Sequence, residues 1–392
     1  MMKTYTYDDS NLKVFKETER VSLSPFMFVC IIIALVGYGL LTLYSASYDE
    51  ALRNGLPPAY YFIRQTVFAL LGFVSLVAIR FIPLVWIRKA IPLFLIFSLL
   101  LMVLTLVTPF GIERLGARRW LQIGPLPSFQ PSELLKVSVI LYLSHILSKP
   151  KDELGSDWVT LLVSSVVVLL SALLIVLQRD YSTTLVFLLV ALALLLAGGI
   201  KLRYLGMFSV GIGIPAIIFL LIEPYRIRRV VSFLFPSIDP TGLNWQVLNS
   251  LKAITAGGLF GKGLGNGTYK LGTIPEVQSD FIFASLAEEM GFVGILVFFI
   301  LFAGFAILGF RTANHHLARS RKFTALASFG LTFMIVWQAL VNLAVVTSLL
   351  PPTGIPLPFF SQGGTNLFMI LCECGLLYKF MVADEKEMER NG

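Results

Sequence analysis

Residues 161–177 read LLVSSVVVLLSALLIVL, and this stretch is apolar on every face. A run of about 17 to 25 such residues is the length that an α-helix needs to cross the hydrocarbon layer of a membrane. A second run, TTLVFLLVALALLLA at residues 183–197, has the same character. The pattern predicts membrane-spanning helices rather than a barrel, whose strands would alternate apolar and polar residues.

The composition of the 392-residue chain agrees with this prediction. Hydrophobic residues make up 56% and charged residues 14%, and the mean hydropathy is +0.81. These values lie outside the range of soluble globular domains. A soluble protein is therefore excluded, and the sequence predicts an all-α polytopic membrane protein.

Apolar runs separated by short polar clusters predict ten transmembrane helices. Their approximate bounds are 22–46, 60–82, 90–108, 132–148, 158–177, 183–199, 204–222, 280–310, 323–350 and 365–382. The predicted domains are a cytoplasmic N-terminal tail at 1–21, a membrane domain at 22–382 and a cytoplasmic C-terminal tail at 383–392. A large extracytoplasmic loop, 223–279, lies between helices 7 and 8, and its length predicts that it is structured.

The distribution of Lys and Arg sets the predicted orientation, because cytoplasmic flanks carry an excess of both. With both termini inside, 18 of the 31 basic residues lie on the inner side. Most of the outer ones fall in two loops: Arg114, Arg118 and Arg119 in the first, and Arg226, Arg228, Arg229, Lys252, Lys262 and Lys270 in the second. Such clusters predict an anionic ligand at the outer face, and contact with anionic lipid headgroups is the alternative. Charge spread over both faces argues against a nucleic-acid partner.

The second of these loops contains two recognisable patterns. Val247, Leu248, Leu251 and Ile254 are spaced as on one face of a helix, which predicts a short amphipathic helix at the membrane surface. Six glycines follow within residues 257–267. Ala256 stands where a phosphate-binding loop needs its first glycine, so a nucleotide site is excluded. A tightly turned linker and a backbone cradle for phosphate both remain open.

Carboxylates at the mouths of the predicted helices are the candidate chemical groups. Asp280 opens the eighth segment, where it is either a functional acid or an N-cap. Glu288 and Glu289 follow two turns later. Because carboxylates inside a membrane are costly, they face either a structural salt-bridge partner or a wet, functional cavity.

Two further ionisable positions lie at the starts of other segments. Glu133 and Lys136 are three residues apart, which allows a pair on one helix face or a shared place in a substrate cavity. Asp180 is either a helix cap or a group that binds cation or substrate. The three cysteines, Cys30, Cys372 and Cys374, lie in or beside apolar runs, and we expect neither a disulfide nor a zinc site.

Five motifs together resemble the SEDS family, which comprises the FtsW, RodA and SpoVE proteins of bacterial cell shape, elongation, division and sporulation. They are GARRW at 116–120, QPSELLK at 130–136, the stretch 244–267, PEVQSDFIFASLAEE at 275–289 and PLPFFSQGG at 356–364. The resemblance covers about residues 25–382. The phrase GLFGKGLGN at 258–266 is more similar to the FtsW branch than to the RodA branch.

The resemblance implies a peptidoglycan glycosyltransferase that polymerises lipid II into β-1,4 glycan strands, with inversion, on the outer face of the bacterial cytoplasmic membrane. The family's essential acid falls on Asp280, which would be the general base on the acceptor's 4-hydroxyl. The predicted substrate-binding residues are Arg118, Arg119, Glu133, Lys136, Asp180, Lys262 and Glu288. The resemblance also implies a divalent cation, Mg²⁺ or Mn²⁺, and a class B penicillin-binding protein transpeptidase among other divisome or elongasome partners.

Two departures from the family pattern limit this transfer. Gln278 and Ser279 stand where the family usually has His-Thr, and Gln362 stands where it usually has Tyr. Two other functions stay open as alternatives. A lipid II flippase or transporter would use the intramembrane carboxylates and interrupted helices, and a non-catalytic divisome scaffold would need only the helical surface.

Overall fold

The computed structural model describes residues 24–114, 116–125, 127–150, 157–204 and 243–383, together with residues 206, 210 and 233. The principal helices are α1 (Ser24–Arg53), α2 (Tyr60–Phe81), α3 (Leu84–Val107), α4 (Pro131–Leu147), α5 (Asp157–Leu177), α6 (Tyr181–Ala197), α7 (Leu243–Ala256), α8 (Ile282–Ala318), α9 (Lys322–Val346) and α10 (Gly364–Val382). Two short strands, β1 (Gly111–Arg114) and β2 (Ala117–Leu121), lie between α3 and α4.

The chain is a mostly helical, multi-pass membrane protein. Seven of the described helices are long and apolar enough to cross a membrane, namely α1, α2, α3, α5, α8, α9 and α10. Helices α4 and α6 have 17 residues each. The seventh predicted segment, 204–222, lies almost entirely outside the described residues, as do the first part of the predicted outer loop and both predicted tails. The count of ten therefore stays a prediction.

Close approach of helices at small residues holds the bundle together. Helix α10 packs along α2, where a Cβ added to Gly72 would lie 2.8 Å from Cβ of Leu371. In turn, a Cβ added to Gly375 would lie 2.9 Å from Cα of Leu76. In lipid the hydrophobic effect does not drive helices together, so close van der Waals packing of this kind stabilises their association. Helices α9 and α10 are the most enclosed of the candidate spans, with 61% and 72% of their apolar windows buried.

The strands β1 and β2 form an antiparallel hairpin, which the all-α prediction did not include. The pairing is irregular between Ile112 and Glu113, and Gly116 adopts a positive φ of 73° near the tip. Strands this short carry too weak an alternation to be recognised in a sequence. Their position depends instead on contacts with α3, which are described below.

Residues 257–270, which follow α7, are inserted into a break in α8 and are called the inserted segment below. The helix predicted from Val247 onward is confirmed as α7, whereas its place at the membrane surface stays a prediction. The glycine-dense stretch turns back from the end of α7. Gly291 has non-helical angles, φ 63° and ψ −162°, which interrupt α8 after two turns. The break has a physical cause in the hydrogen bonds that surround it.

Four backbone hydrogen bonds join the inserted segment to the two sides of the break. The amides of Phe292 and Val293 would donate within a regular helix to the carbonyls of Glu288 and Glu289. They donate instead to Gly258 O at 2.9 Å and Leu259 O at 3.1 Å. The carbonyls left over accept from the amides of Lys262 and Gly263, at 3.0 and 2.9 Å respectively. The break thus leaves none of these four backbone groups unpaired.

Candidate functional site

A buried ion pair at the start of α4 is the centre of the candidate site. Lys136 Nζ lies 2.9 Å from Glu133 Oε1, and both residues are at most 5% exposed. Asn366 of α10 donates to the second carboxylate oxygen of Glu133 at 2.8 Å, and Lys136 donates to Gln338 Oε1 of α9 at 3.3 Å. The pairing expected from their spacing is therefore present, and hydrogen bonds from two further helices reduce the cost of burying it.

A chain of hydrogen bonds continues from this pair to Asp280. Gln338 Nε2 donates to the carbonyl of Pro356 at 3.1 Å. One turn further along α9, Asn342 Nδ2 donates to the carbonyl of Ile355 at 2.7 Å and to that of Asp280 at 2.8 Å. The connection joins α4, α9 and the segment between α9 and α10, so the ion pair and Asp280 belong to one polar network.

Asp280 is half-buried immediately before α8. The helix begins at Ile282, so its N-cap residue is Phe281 rather than Asp280. The interpretation of Asp280 as the N-cap of α8 is therefore wrong. A Cβ added to Gly354 would lie 3.5 Å from Asp280 Oδ2, so this carboxylate stands beside the loop that precedes Pro356.

The loop 354–363, which faces Asp280, is fixed on two sides. Gln65 of α2 donates to the carbonyl of Ser361 at 3.1 Å and accepts from the amide of Gly363 at 3.2 Å. The hydroxyl of Ser361 donates to the carbonyl of Ser279. The amide of Gln362 donates to the carbonyl of Gln278 at 2.8 Å. Two of the three residues that depart from the family pattern, Gln278 and Gln362, thus contact each other through the main chain, which any residue type could do.

A second charged group lies at the turn between α5 and α6. Asp180 caps α6 by accepting from the amide of Thr183 at 3.3 Å. The same carboxylate lies 3.6 Å from Arg119 Nη1 and accepts from Gln130 Nε2 at 3.5 Å. Gln130 is the N-cap residue of α4, three residues before Glu133. Arg119, Asp180, Glu133 and Lys136 are therefore brought together around the start of α4.

Arg118 holds the hairpin against the end of α3. Its guanidinium donates to the carbonyls of Gly111 at 3.1 Å, Leu106 at 3.0 Å and Thr108. The carbonyls of Leu106 and Thr108 lie at the C-terminus of α3, where a helix presents unpaired acceptors and partial negative charge, and that of Gly111 begins β1. Arg118 thus has a structural contact that spacing did not reveal.

Glu288 and Lys262 form a separate group on the inserted segment. Lys262 Nζ lies 2.6 Å from Glu288 Oε1, and this carboxylate also accepts from the amides of Thr268 and Tyr269 at 2.8 and 3.1 Å. Of the two readings left open for Glu288, the geometry gives a salt bridge that secures the segment to α8.

Glu289 makes a second, more deeply buried pair beside the first. Lys270 Nζ lies 2.6 Å from Glu289 Oε1 and 2.7 Å from the hydroxyl of Ser45 of α1, which itself donates to Glu289. The pair therefore ties the inserted segment to α1 as well as to α8.

One acid of the turn before α8 has an altered pKa. Burial raises the pKa of Glu276 above its usual value, and the nearby carboxylate of Glu50 raises it further. Glu276 has a positive φ of 52°, and its carboxylate accepts from Gln278 Nε2 at 3.3 Å. The turn that carries Asp280 therefore includes a carboxyl that gives up its proton less readily than a free one.

Sequence reasoning missed the amides that connect the site. Gln65, Gln338, Asn342 and Asn366 are all at most 8% exposed, and each makes a hydrogen bond described above. A polar amide within an apolar helix is the signal that could have identified them, because such groups need partners in the membrane. Among the described residues, no group of three or more His, Cys, Asp or Glu side chains is arranged to hold a metal ion.

Comparisons with known proteins agree on one family. Residues 26–386 match the family model for FtsW, RodA and SpoVE, described as "Cell cycle protein". The chain is 35% identical over 370 residues to a "Probable peptidoglycan glycosyltransferase FtsW" of Trichlorobacter lovleyi, covering 93% of this chain and 95% of that protein. It is 33% identical over 361 residues to the stage V sporulation protein E of Bacillus subtilis, covering 92% and 97% respectively.

Two solved structures have a similar fold. One is a chain of a peptidoglycan synthase complex described as coordinating polymerization and crosslinking, with a TM-score of 0.73 and 28% identity over 91% of this chain and 98% of that one. The other is the rod shape determining protein RodA of Thermus thermophilus, with a TM-score of 0.64 and 28% identity over 90% and 95%.

Proposed function

The chain belongs to the FtsW/RodA/SpoVE family of cell cycle proteins, and from that premise we propose that it is a peptidoglycan glycosyltransferase that polymerises lipid II. Relatives that match almost the whole chain are named for this activity. The observation that carries the proposal is the network that joins the Asp280 turn to the buried Glu133–Lys136 pair. It connects the turn that carries the Asp280 carboxylate to a buried cation, and transfer of a sugar from a pyrophosphate requires both kinds of group.

In the proposed reaction, the 4-hydroxyl of the acceptor sugar attacks the anomeric carbon of the donor. The new carbon–oxygen bond forms as the bond to undecaprenyl pyrophosphate breaks, and Asp280 takes the hydroxyl proton as general base. A single displacement inverts the anomeric carbon, so an α-linked donor gives a β-1,4 strand. The half-buried position of Asp280 beside Gly354 supports a carboxylate that substrate can reach.

Positive charge near the start of α4 would neutralise the departing pyrophosphate. Arg119 is 28% exposed at its side chain and is held by Asp180, so we assign it the contact with phosphate. Lys136 would act from within the bundle, with Glu133 orienting it. Arg118 would contribute by fixing the hairpin that presents Arg119, because its own donors are occupied by carbonyls. Lys262 and Glu288 would hold the inserted segment that precedes Asp280.

A divalent cation, Mg²⁺ or Mn²⁺, is part of the proposal. Such ions are commonly held by one or two carboxylates together with substrate phosphates, so a site made of protein groups alone is not required. Asp180 and Glu133, two described carboxylates around the start of α4, would supply the protein ligands in this mode of binding. When bound, the ion would offset charge on the pyrophosphate.

The remaining topology follows the sequence predictions. We propose ten transmembrane helices, with both termini in the cytoplasm of a bacterial cell and a large structured loop, 223–279, on the outer face. The described part of that loop supports the proposal, because α7 and the inserted segment pack against α8. A crosslinking transpeptidase, a class B penicillin-binding protein, is the proposed partner, supported by the likeness to a chain from a synthase complex.

Polymerisation of labelled lipid II by the purified protein, with a divalent cation and its transpeptidase, tests the proposal. Asp280→Ala and Asp280→Asn should lower the rate by roughly 10²- to 10⁴-fold, as expected for loss of a general base. Glu113→Gln, which changes an exposed carboxylate on β1, is the control and should polymerise normally.

If folded Asp280→Ala polymerised glycan chains as fast as the wild type, Asp280 would not be the general base. If the wild type formed no glycan chains but moved lipid II across vesicle membranes, the transporter would be the better supported function.

A further inference from the structure

The side chain of Asn342 joins two segments that meet at Asp280. Its Nδ2 donates to the main-chain oxygens of Asp280 and Ile355 at 2.8 and 2.7 Å. Asn342 is 1% exposed, so both bonds are made away from bulk water. One amide group therefore sets the spacing between the turn that carries the proposed base and the loop that faces it.

The chemistry of an amide matches what these two carbonyls need. Asp280 precedes the first residue of α8, and Ile355 lies between α9 and α10, so both belong to irregular segments. A buried carbonyl without a donor is costly, whichever segment it belongs to. An amide NH₂ has two hydrogens to donate, whereas an alkyl group or a carboxylate at position 342 has none.

The hydrogen bond from Asn342 to Ile355 also affects the surroundings of the Asp280 carboxylate. Gly354 directly precedes Ile355 and has a positive φ of 74°, and a Cβ added there would lie 3.5 Å from Asp280 Oδ2. A shift of the Ile355 carbonyl would move the backbone that stands against this carboxylate.

We propose that Asn342 is a positioning residue for sugar transfer, which fixes the Asp280 carboxylate by holding its main chain against the loop 354–363. Its catalytic consequence rests on the proposed function, whereas its structural consequence rests only on the two hydrogen bonds. The Oδ1 atom of Asn342 has no hydrogen-bond partner within the described residues, so the proposal assigns the role to the two donated hydrogens.

Hydrogen exchange of the purified full chain tests the structural part without relying on activity. In Asn342→Ala, the amides of Asp280 and Gln362, which bond to Glu276 and Gln278 respectively, should exchange roughly 5- to 150-fold faster, the effect of losing two net hydrogen bonds. Ser250→Ala is the matched control, because it removes a buried bond of 2.7 Å to the carbonyl of Val346 at the end of the same helix. Equal exchange of both amides in wild type and Asn342→Ala would overturn the proposal.

Kinetics on folded protein test the catalytic part. Asn342→Ala should lower kcat by about 100-fold, the scale of a misplaced catalytic group, and leave KM within about twofold. Asn342→Asp should behave like Asn342→Ala because it also lacks the two donors. Full activity in either variant would overturn the positioning role. Absence of polymer from the wild type would instead refute the proposed function, and the exchange measurement would still decide whether Asn342 holds Asp280.

Discussion

Removing the positive charge from the buried Lys270–Glu289 pair should release the inserted segment. Both side chains are nearly inaccessible, at 5% and 2% exposure, and the ion-pair distance is 2.6 Å. Lys270→Met leaves Glu289 as a buried charge whose remaining partners are the Ser45 hydroxyl and the Gly267 amide. Breaking such a pair from one side costs about 3–5 kcal/mol.

This loss of stability should appear as more frequent local opening of the inserted segment. The amides of Lys262 and Gly263 donate to the carbonyls of Glu288 and Glu289, so they exchange only when the segment leaves the break in α8. A loss of about 3 kcal/mol corresponds to exchange on the order of 100-fold faster. Hydrogen exchange with mass spectrometry on the purified protein measures this directly.

Two further variants separate the effect of a lost charge from that of lost packing. Asp49→Asn breaks an exposed pair of nearly equal length, 2.7 Å to Arg53 with side chains 25% and 48% exposed, and should cost at most about 0.5 kcal/mol. Lys270→Met combined with Glu289→Gln removes both charges and should recover much of the lost protection. If the double variant opened as readily as the single one, the cause would be lost packing, and the argument from an uncompensated charge would be wrong.

Three further changes have defined outcomes. Gly291→Ala places a Cβ 2.7 Å from Leu259 O, in a backbone region that only glycine tolerates. It should lower the free energy of unfolding, measured by thermal unfolding, by at least about 2 kcal/mol. Gly37→Ala, with open space around the added Cβ, should leave that free energy unchanged or raise it slightly. Arg118→Ala should free the hairpin and speed proteolysis between residues 111 and 121, while Arg114→Ala, which stacks on a ring at 5.6 Å, should not. Because the pKa of Glu276 is raised in the folded state, its turn should be most stable at low pH and lose stability as the pH rises from the usual value of 4.5 through the raised one. Hydrogen exchange corrected for its intrinsic pH dependence should show that loss in wild type, and Glu276→Gln should abolish it.

The sequence was sufficient for the helices and for the local pair at α4. Long apolar runs have few alternative structures in a membrane, so α2, α4, α5, α6 and α10 begin and end within two residues of their predicted bounds. Helix α1 ends seven residues later than predicted, and α3 begins six residues earlier. The Glu133–Lys136 pair follows from a separation of three residues on one helix.

Contacts that depend on distant parts of the chain could not be predicted in the same way. The break at Gly291 is satisfied by residues 258–263, and hydropathy carries no information about hydrogen bonds across such a separation. The partner of Glu288 was uncertain for the same reason, although a salt bridge was one of two expectations. Asn342 was overlooked because a single amide does not interrupt the apolar run of α9.

The inserted segment also bears on how the protein is assembled. Residues 258–263 leave the ribosome before Phe292 and Val293, so the partners of the break already exist when α8 reaches the membrane. Without them, two amides and two carbonyls would enter an apolar environment unpaired, at a cost of several kcal/mol each. The segment and the first two turns of α8 therefore make a single unit of insertion, in which the earlier part of the chain completes the helix that follows it.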